Sequence, residues 1–310
     1  MIKFSVVIPL YNGANVIEAT LDSVLAQTYR NYEIVLVNDG SPDNVGNVVK
    51  NYIADHPGTQ FVYLEQRNKG LGGARNSAIR LASGEVIAIL DQDDLWYPKK
   101  LERVAQVYEE YPEVEIVCHN CFIRKNGKIT KLYQTGPFEK EMHRKMLFGG
   151  NRLATLATSF KKSVLEKVGY FSEDTEKIHL VEDYDLWMRM ARANCKFSFI
   201  SDVLAEYIQH DSNYSLQNIE RMFESEMYVI NSHYKLLSKR RFLDWARLRR
   251  RKAILYFWAV SRLPFSAGSF SKRLRYLMLT IGNDPLFLFS LFSKSIKKIY
   301  KILLAKRSRR

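Results

Sequence analysis

The sequence of 310 residues carries 47 Lys and Arg against 33 Asp and Glu, a formal net charge of +14, with 46% hydrophobic and 26% charged residues. That length and balance describe one large or two modest globular domains and exclude a mainly disordered or collagen-like chain. The charge is split, since residues 235–310 hold 21 Lys and Arg against two acids, Asp244 and Asp284, a net of +19 that leaves residues 1–234 at −5. A mildly acidic body with a basic tail argues against reading the whole protein as a nucleic-acid binder.

In chain order, Met1 to Pro9 enters an apolar run with no basic n-region and no small-residue cleavage site, unlike a signal peptide. Strand-like runs at Phe4–Ile8, Tyr32–Val37, Gln60–Leu64 and Glu85–Leu90 alternate with helical patterns. The first helix carries the stripe Val16, Ile17, Leu21, Val24 and Leu25, and the second carries Val45, Val48, Val49 and Tyr52 behind a Ser41-Pro42-Asp43 start. A third runs from Ala74 to Ala82 and a fourth from Lys99 to Tyr108. This alternation predicts an α/β fold, Rossmann-like, with a mostly parallel sheet covered by helices on both faces and a ligand site beyond the C-terminal strand ends.

The later part is mixed. A β-type stretch from Val114 to Leu132 turns at Asn126-Gly127, a helix follows from about Val181 to Ala193, and another strand-like run spans Phe197 to Tyr207. From about Leu216 the pattern is helical and increasingly basic. Cys118-His119-Asn120-Cys121 is a C-x-x-C without a second ligand pair, inside an apolar run, which reads as buried or edge-strand thiols in a cytosolic chain. No stretch reaches the roughly 18–20 uninterrupted apolar residues of a spanning helix.

The chemistry gathers at the predicted strand ends. Strand one ends in Pro9-Leu10-Tyr11-Asn12-Gly13, strand two in Asn38-Asp39-Gly40-Ser41, and strand four in Asp91-Gln92-Asp93-Asp94. Three carboxylates within four residues repel one another and invite a cation. Hard oxygen ligands without local His or Cys favour Mg²⁺ or Mn²⁺, suited to bridging a diphosphate. Asn68 to Asn76 is a Gly-rich turn entering a helix, favourable to anions. It is neither the dinucleotide fingerprint, since Arg75 stands where a glycine is needed, nor a P-loop, which requires G-K-[ST]. Glu182-Asp183-x-Asp185 puts acids in the first turn of a helix, where the dipole favours ionised carboxylates.

The ordered set Pro9-x-Tyr11-Asn12, Asn38-Asp39-Gly40-Ser41, Asn68-x-Gly70 with Ala74-Arg75-Asn76, Gly84-Glu85, Asp91-x-Asp93-Asp94 and Glu182-Asp183 resembles the family 2 inverting glycosyltransferases of bacterial cell-surface polysaccharide synthesis. It covers roughly residues 3–215, departs at Ser77 where the family often has glycine, and does not reach the tail. The resemblance implies a GT-A nucleotide-diphospho-sugar transferase fold over residues 1–215, with a nucleotide-sugar half at about 1–110 and an acceptor half at about 111–215. Residues 216–310 then form a separate helical, basic region.

By the same resemblance Tyr11 packs on the nucleobase, with Pro9, Asn12 and Gly40 shaping the pocket, and Asp39 accepts the pyrimidine N–H. Arg75 contacts the nucleotide side, Asp91 and Asp93 position the ribose and metal-bound diphosphate, Gln92 belongs to the nucleotide-sugar site, and Asp93, with Asp91, holds Mn²⁺ or Mg²⁺. His210 stands where relatives have a histidine that touches the metal or a phosphate. Asp183, beside Glu182, is the catalytic base. Trp96 and Trp187 are candidates for an acceptor platform. The partners implied are a nucleotide sugar, expected to be UDP-linked, and a glycan or lipid-linked acceptor. The alternative is an inactive GT-A-like binding protein recruited by its tail to membrane or polynucleotide, which the intact D-x-D and Glu182-Asp183 oppose.

Arranged at about 100° per residue from Phe292, Ile296, Ile299 and Leu303 fall within about 40° of it, while Lys294, Lys298 and Lys301 lie on the opposite side. An apolar stripe against a lysine face is the form of a helix lying in an anionic membrane interface rather than on nucleic acid. The expected location is cytoplasmic and peripheral, at the inner face of the plasma membrane.

Overall fold

The computed structural model describes residues 1–136, 141–210, 218–263 and 267–287. The chain divides into two compact units, Met1–Met146 with Asn151–Gln217, and Leu147–Gly150 with Asn218–Arg310.

The first unit is built on a nine-stranded sheet. It opens with β1 (Phe4–Leu10), α1 (Ile17–Leu25), β2 (Tyr32–Asp39), α2 (Val45–Asp55), β3 (Phe61–Gln66), α3 (Gly70–Leu81) and β4 (Val86–Ile89). These strands lie in the order β3-β2-β1-β4, all parallel. Every residue of β1 is buried because helices cover both faces, which is why its sequence is a continuous apolar run rather than an alternating one. The polar exception, Ser5, donates to the buried Glu33, which also receives the backbone N–H of Ser83. The register sets Leu10 beside Asn38 and Asp39 beside Gln66, so the first three strands end along one line.

Beyond β4 the sheet is mixed. The short β5 (Leu95–Trp96) leads into α4 (Lys100–Glu110), then β6 (Ile116–Lys125) and β7 (Lys128–Tyr133) form a hairpin. After α5 (Met142–Gly149) come β8 (Thr158–Lys161), α6 (Val164–Val168), α7 (Glu182–Arg192) and β9 (Phe197–Gln209). Strand β8 sits between β4 and β6, antiparallel to both, β6 and β9 are parallel, and β5 closes antiparallel on β9. That last pairing fastens the turn after β4 to the C-terminal end of β9.

The second unit contains α8 (Ile219–Lys235), α9 (Phe242–Arg262) and α10 (Ala267–Asn283). Its core includes a ring cluster of Phe223, Tyr256 and Tyr276, with centroids 5.2 to 5.7 Å apart. Among the described residues no helix is long and apolar enough to cross a membrane. The amphipathic segment read at Phe292, Lys294, Ile296, Lys298, Ile299, Lys301 and Leu303 lies outside the described residues.

Candidate active site

The strand ends form the floor of the site. Gly40 adopts φ +68°, and a Cβ there would stand 2.9 Å from the Asn68 backbone nitrogen, so the turn after β2 requires glycine. Asp39 is 3% exposed. Its Oδ1 accepts the Gln66 side-chain amide at 2.7 Å and the Lys69 N–H at 2.9 Å, which orients the carboxylate through one oxygen and leaves the other for an incoming donor. Pro9 is buried in β1, whereas the Tyr11 ring is exposed. Asn12 takes φ +57°, and its N–H donates to Ser41 Oγ at 2.7 Å, joining the ends of β1 and β2.

Gln92 braces the loop that carries Tyr11. Its amide oxygen accepts the Tyr11 N–H at 3.0 Å and its amide nitrogen donates to the Tyr11 carbonyl at 2.7 Å. Both polar atoms thus help to hold the loop that carries Tyr11, and the amide keeps a second N–H and a second lone pair. Thr20 supports the same turn, its single O–H shared between the carbonyls of Gln92 at 2.7 Å and Asp94 at 3.0 Å.

Asp93 meets His210 across 117 residues, with Nε2 2.9 Å from Oδ2. The link between β5 and β9 accounts for this, reinforced by the Ile208 N–H donating to Asp94 Oδ1 at 2.9 Å. Burial and the neighbouring Asp91 raise the Asp93 pKa, which His210 opposes. Among the described residues no group of three His, Cys, Asp or Glu is gathered around one point. Asp93 and His210 nevertheless fit a divalent cation of the kind held by one or two protein ligands plus substrate phosphate and water.

Arg75 corrects the expectation of a nucleotide contact. The side chain is 2% exposed, with Nη2 2.7 Å from Asp91 Oδ1 and Nη1 2.5 Å from Glu182 Oε1, and its guanidinium lies 5.5 Å from the Phe171 ring centroid. Burial disfavours the cation, but Asp91 and Glu182 outweigh it and hold the proton on. Glu182, 3% exposed and paired with that cation, is a counter-ion rather than a base. The Gly-rich turn likewise serves the chain itself, because a Cβ on Gly72 would stand 2.2 Å from the Ser172 carbonyl oxygen. Asn76 adds to this seam by exchanging two hydrogen bonds with the Phe171 backbone.

Asp183 is partly exposed at the start of α7. Its Oδ2 accepts Thr155 Oγ1 at 2.9 Å and its Oδ1 accepts the Tyr184 N–H at 2.6 Å. Asn151 Nδ2 lies 3.5 Å from the same Oδ2. Burial raises the Asp183 pKa, opposed by Arg75 and these hydrogen bonds. Two residues before Glu182, Leu180 adopts φ +61°, a strained conformation for a bulky residue at the entry to this helix. Thr155 and Asn151 were not foreseen, since no motif marks them.

Neither tryptophan forms an acceptor platform. Trp96 is buried, donates Nε1–H to the Leu156 carbonyl at 2.9 Å and lies under the Lys100 ammonium. Trp187 is fully buried, edge-on to Phe160 and Phe171. The cysteines are free and buried, and burial pushes the Cys118 and Cys121 thiols up to about 12, which keeps them protonated.

Known proteins resemble this chain in sequence and fold. Residues 5–169 match the family described as glycosyl transferase family 2. An uncharacterized glycosyltransferase of Rickettsia typhi is 31% identical over 72% of this chain and 69% of its own, and one of Methanocaldococcus jannaschii is 29% identical over 83% and 84%. Among solved structures, Staphylococcus aureus TarS 1–349 in complex with UDP-GlcNAc superposes with a TM-score of 0.68 at 19% identity, covering 91% of this chain and 81% of that one. A mannosyltransferase of Pyrobaculum calidifontis, in complex with GDP-Man and Mn²⁺, gives 0.55 at 19% identity over 93% and 88%. These two likenesses establish the GT-A fold of the mixed sheet. With the family match covering more than half its length, the chain belongs to glycosyl transferase family 2 and is a transferase enzyme.

Proposed function

We propose that the protein is a metal-dependent inverting glycosyltransferase. It moves a sugar from a nucleotide sugar, UDP-linked, to a hydroxyl of a glycan or lipid-linked saccharide in cell-surface polysaccharide or lipopolysaccharide synthesis. Residues 1–215 act as the catalytic domain, and residues 216–310 hold it peripherally at the inner face of the plasma membrane. The observation that carries the reading is Arg75, which joins Asp91 at the donor strand end to Glu182 beside Asp183. One side chain thus spans the donor-binding acids and the turn that bears the base.

In this reading the free oxygen of Asp39 accepts the pyrimidine N–H and Tyr11 covers the base. Asp93 and His210 would hold Mn²⁺ or Mg²⁺, which would supply positive charge for the diphosphate leaving group. Asp183, oriented by Thr155 and the Tyr184 N–H, takes the acceptor hydroxyl proton as that oxygen attacks the anomeric carbon. The bond to the diphosphate breaks from the opposite side, so one displacement inverts the anomeric centre. The sugar complex of TarS and the Mn²⁺ complex of the Pyrobaculum mannosyltransferase support the donor class and the metal by analogy.

The test is incubation with UDP-, GDP- and dTDP-sugars and Mn²⁺, reading donor hydrolysis and binding. Hydrolysis of a UDP-sugar that Asp93→Ala abolishes supports the reading. No hydrolysis or binding of any donor, with Asp93→Ala unchanged from the parent, overturns it.

A further inference from the structure

We infer that the outward face of α10, with the first turn of α9, is a docking surface for an anionic lipid bilayer. This rests on the membrane part of the function proposed above, and not on its chemistry. It is carried by residues other than the tail segment read from sequence.

Helix α10 is apolar on two sides. Tyr276 and Thr280 are buried, with Tyr276 packed against Phe223 and Tyr256. At about 100° per residue from Phe270, Leu274 falls near 40°, Met278 near 80° and Ile281 near 20°, whereas Tyr276 and Thr280 fall near 240° and 280°. The four therefore form a separate stripe, and all are exposed: Phe270 at 69%, Leu274 at 48%, Met278 at 58% and Ile281 at 44%. A surface helix of a globular protein ordinarily turns its one apolar face inward. A second, outward stripe marks a surface that another apolar phase covers.

The first turn of α9 adds aromatic groups at one end of this stripe. Phe242 and Trp245 are exposed, and the Arg249 guanidinium lies 4.5 Å from the Trp245 ring centroid. Arg249 also donates to the Gly282 carbonyl and Arg250 pairs with Asp284 at 3.5 Å, so the start of α9 lies beside the end of α10, close to Ile281. A tryptophan with an arginine over its ring suits the headgroup level of a bilayer, where one part of the side chain is apolar and the other wet.

Charge selects the occupant. Residues 218–287 carry fourteen Lys and Arg against five Asp and Glu, a net of +9. Two copies associating through this unit would bring +9 against +9, which opposes a dimer. A polynucleotide satisfies the cations but leaves Phe270, Leu274 and Met278 in water. An anionic bilayer satisfies both, its headgroups meeting the arginines and its acyl boundary taking the stripe.

The test uses the full chain and two vesicle preparations, phosphatidylcholine alone and phosphatidylcholine with about 30% phosphatidylglycerol. The protein is expected to float with the anionic vesicles and not the neutral ones. Brominated acyl chains are expected to quench its tryptophan emission, a readout that needs no substitution. The combined variant Phe270→Ser, Leu274→Ser, Met278→Ser and Ile281→Ser is expected to lower vesicle partitioning at least about tenfold. Ile129→Ser with Leu132→Ser, exposed apolar positions on β7, is expected to leave it unchanged.

Undiminished floating of the α10 variant overturns the proposal. So does a wild-type chain that ignores vesicles but forms a dimer abolished by that variant, or one that binds only after residues 288–310 are removed. Donor hydrolysis is followed on the same samples. Hydrolysis without vesicle binding sinks the docking surface alone, and vesicle binding with neither hydrolysis nor binding of any donor sinks the enzymatic reading alone.

Discussion

Arg75 places Nη1 2.5 Å from Glu182 Oε1 while its other terminal nitrogen holds Asp91, so a single buried cation ties the end of β4 to the start of α7. Removing it leaves two carboxylates facing each other without compensation. Arg75→Met is expected to cost about 3–5 kcal/mol of stability, measured by denaturant unfolding, and to lower kcat more than it raises the donor KM. Arg75→Lys keeps the charge but not the two-pronged geometry and is expected to recover stability only in part.

Asp183 must be ionised to take a proton, and burial raises its pKa. The acid limb of kcat is therefore expected above the ordinary aspartate range of about 4, with activity falling as pH drops through the raised value. Asp183→Asn is expected to lower kcat about a thousandfold with little change in donor affinity, and to abolish that limb. A pH–rate profile of both proteins checks this.

The pairing of Asp93 with His210 carries the metal prediction. Chelation is expected to stop donor hydrolysis, and added Mn²⁺ to restore it. His210→Ala is expected to raise the Mn²⁺ concentration for half-maximal activity roughly tenfold, while Asp93→Ala abolishes rescue. Titration of activity against free Mn²⁺ distinguishes the two.

Glu33 carries a prediction about stability. It is 1% exposed, yet bonds from Ser5 and Ser83 and the charge of Lys3 outweigh burial and hold its pKa below the usual value. A depressed folded pKa contributes stability that is fully present above the unfolded value of about 4.3 and is lost as pH falls through the lower folded value. Glu33→Gln is expected to lower Tm at pH 7 and to flatten its fall below pH 4.5, read by thermal unfolding across that range.

Trp187 is packed into the interior by Phe160 and Phe171. Trp187→Ala is expected to destabilise the fold by about 3–5 kcal/mol. Trp187→Phe is expected to leave donor and acceptor KM unchanged, as steady-state kinetics on the folded variant will show.

Much of the first unit is legible in the sequence because parallel strands buried on both faces read as apolar runs, and each of the first two ends at polar turn residues. Leu10 followed by Tyr11, and Asp39 before Gly40, stand out for that reason. What was not legible depends on distant pairing. Strand β8, with only Thr158 to Lys161, is too short to signal itself, yet it joins the two halves of the sheet. His210 meets Asp93 only because β5 pairs with β9. A motif marks Arg75 and Trp187 but not the direction in which they point, and both point inward. The glycines of the Asn68–Asn76 turn looked like a cradle for an anion, whereas Gly72 makes room for Ser172.

The most direct measurement follows donor hydrolysis by proton NMR with the full chain and Mn²⁺, recording which anomer of the released sugar forms first. An α-linked UDP-sugar is expected to yield the β anomer before mutarotation, and Asp183→Asn to yield no sugar on that timescale. First appearance of the α anomer, or unchanged hydrolysis by Asp183→Asn, contradicts the inverting mechanism.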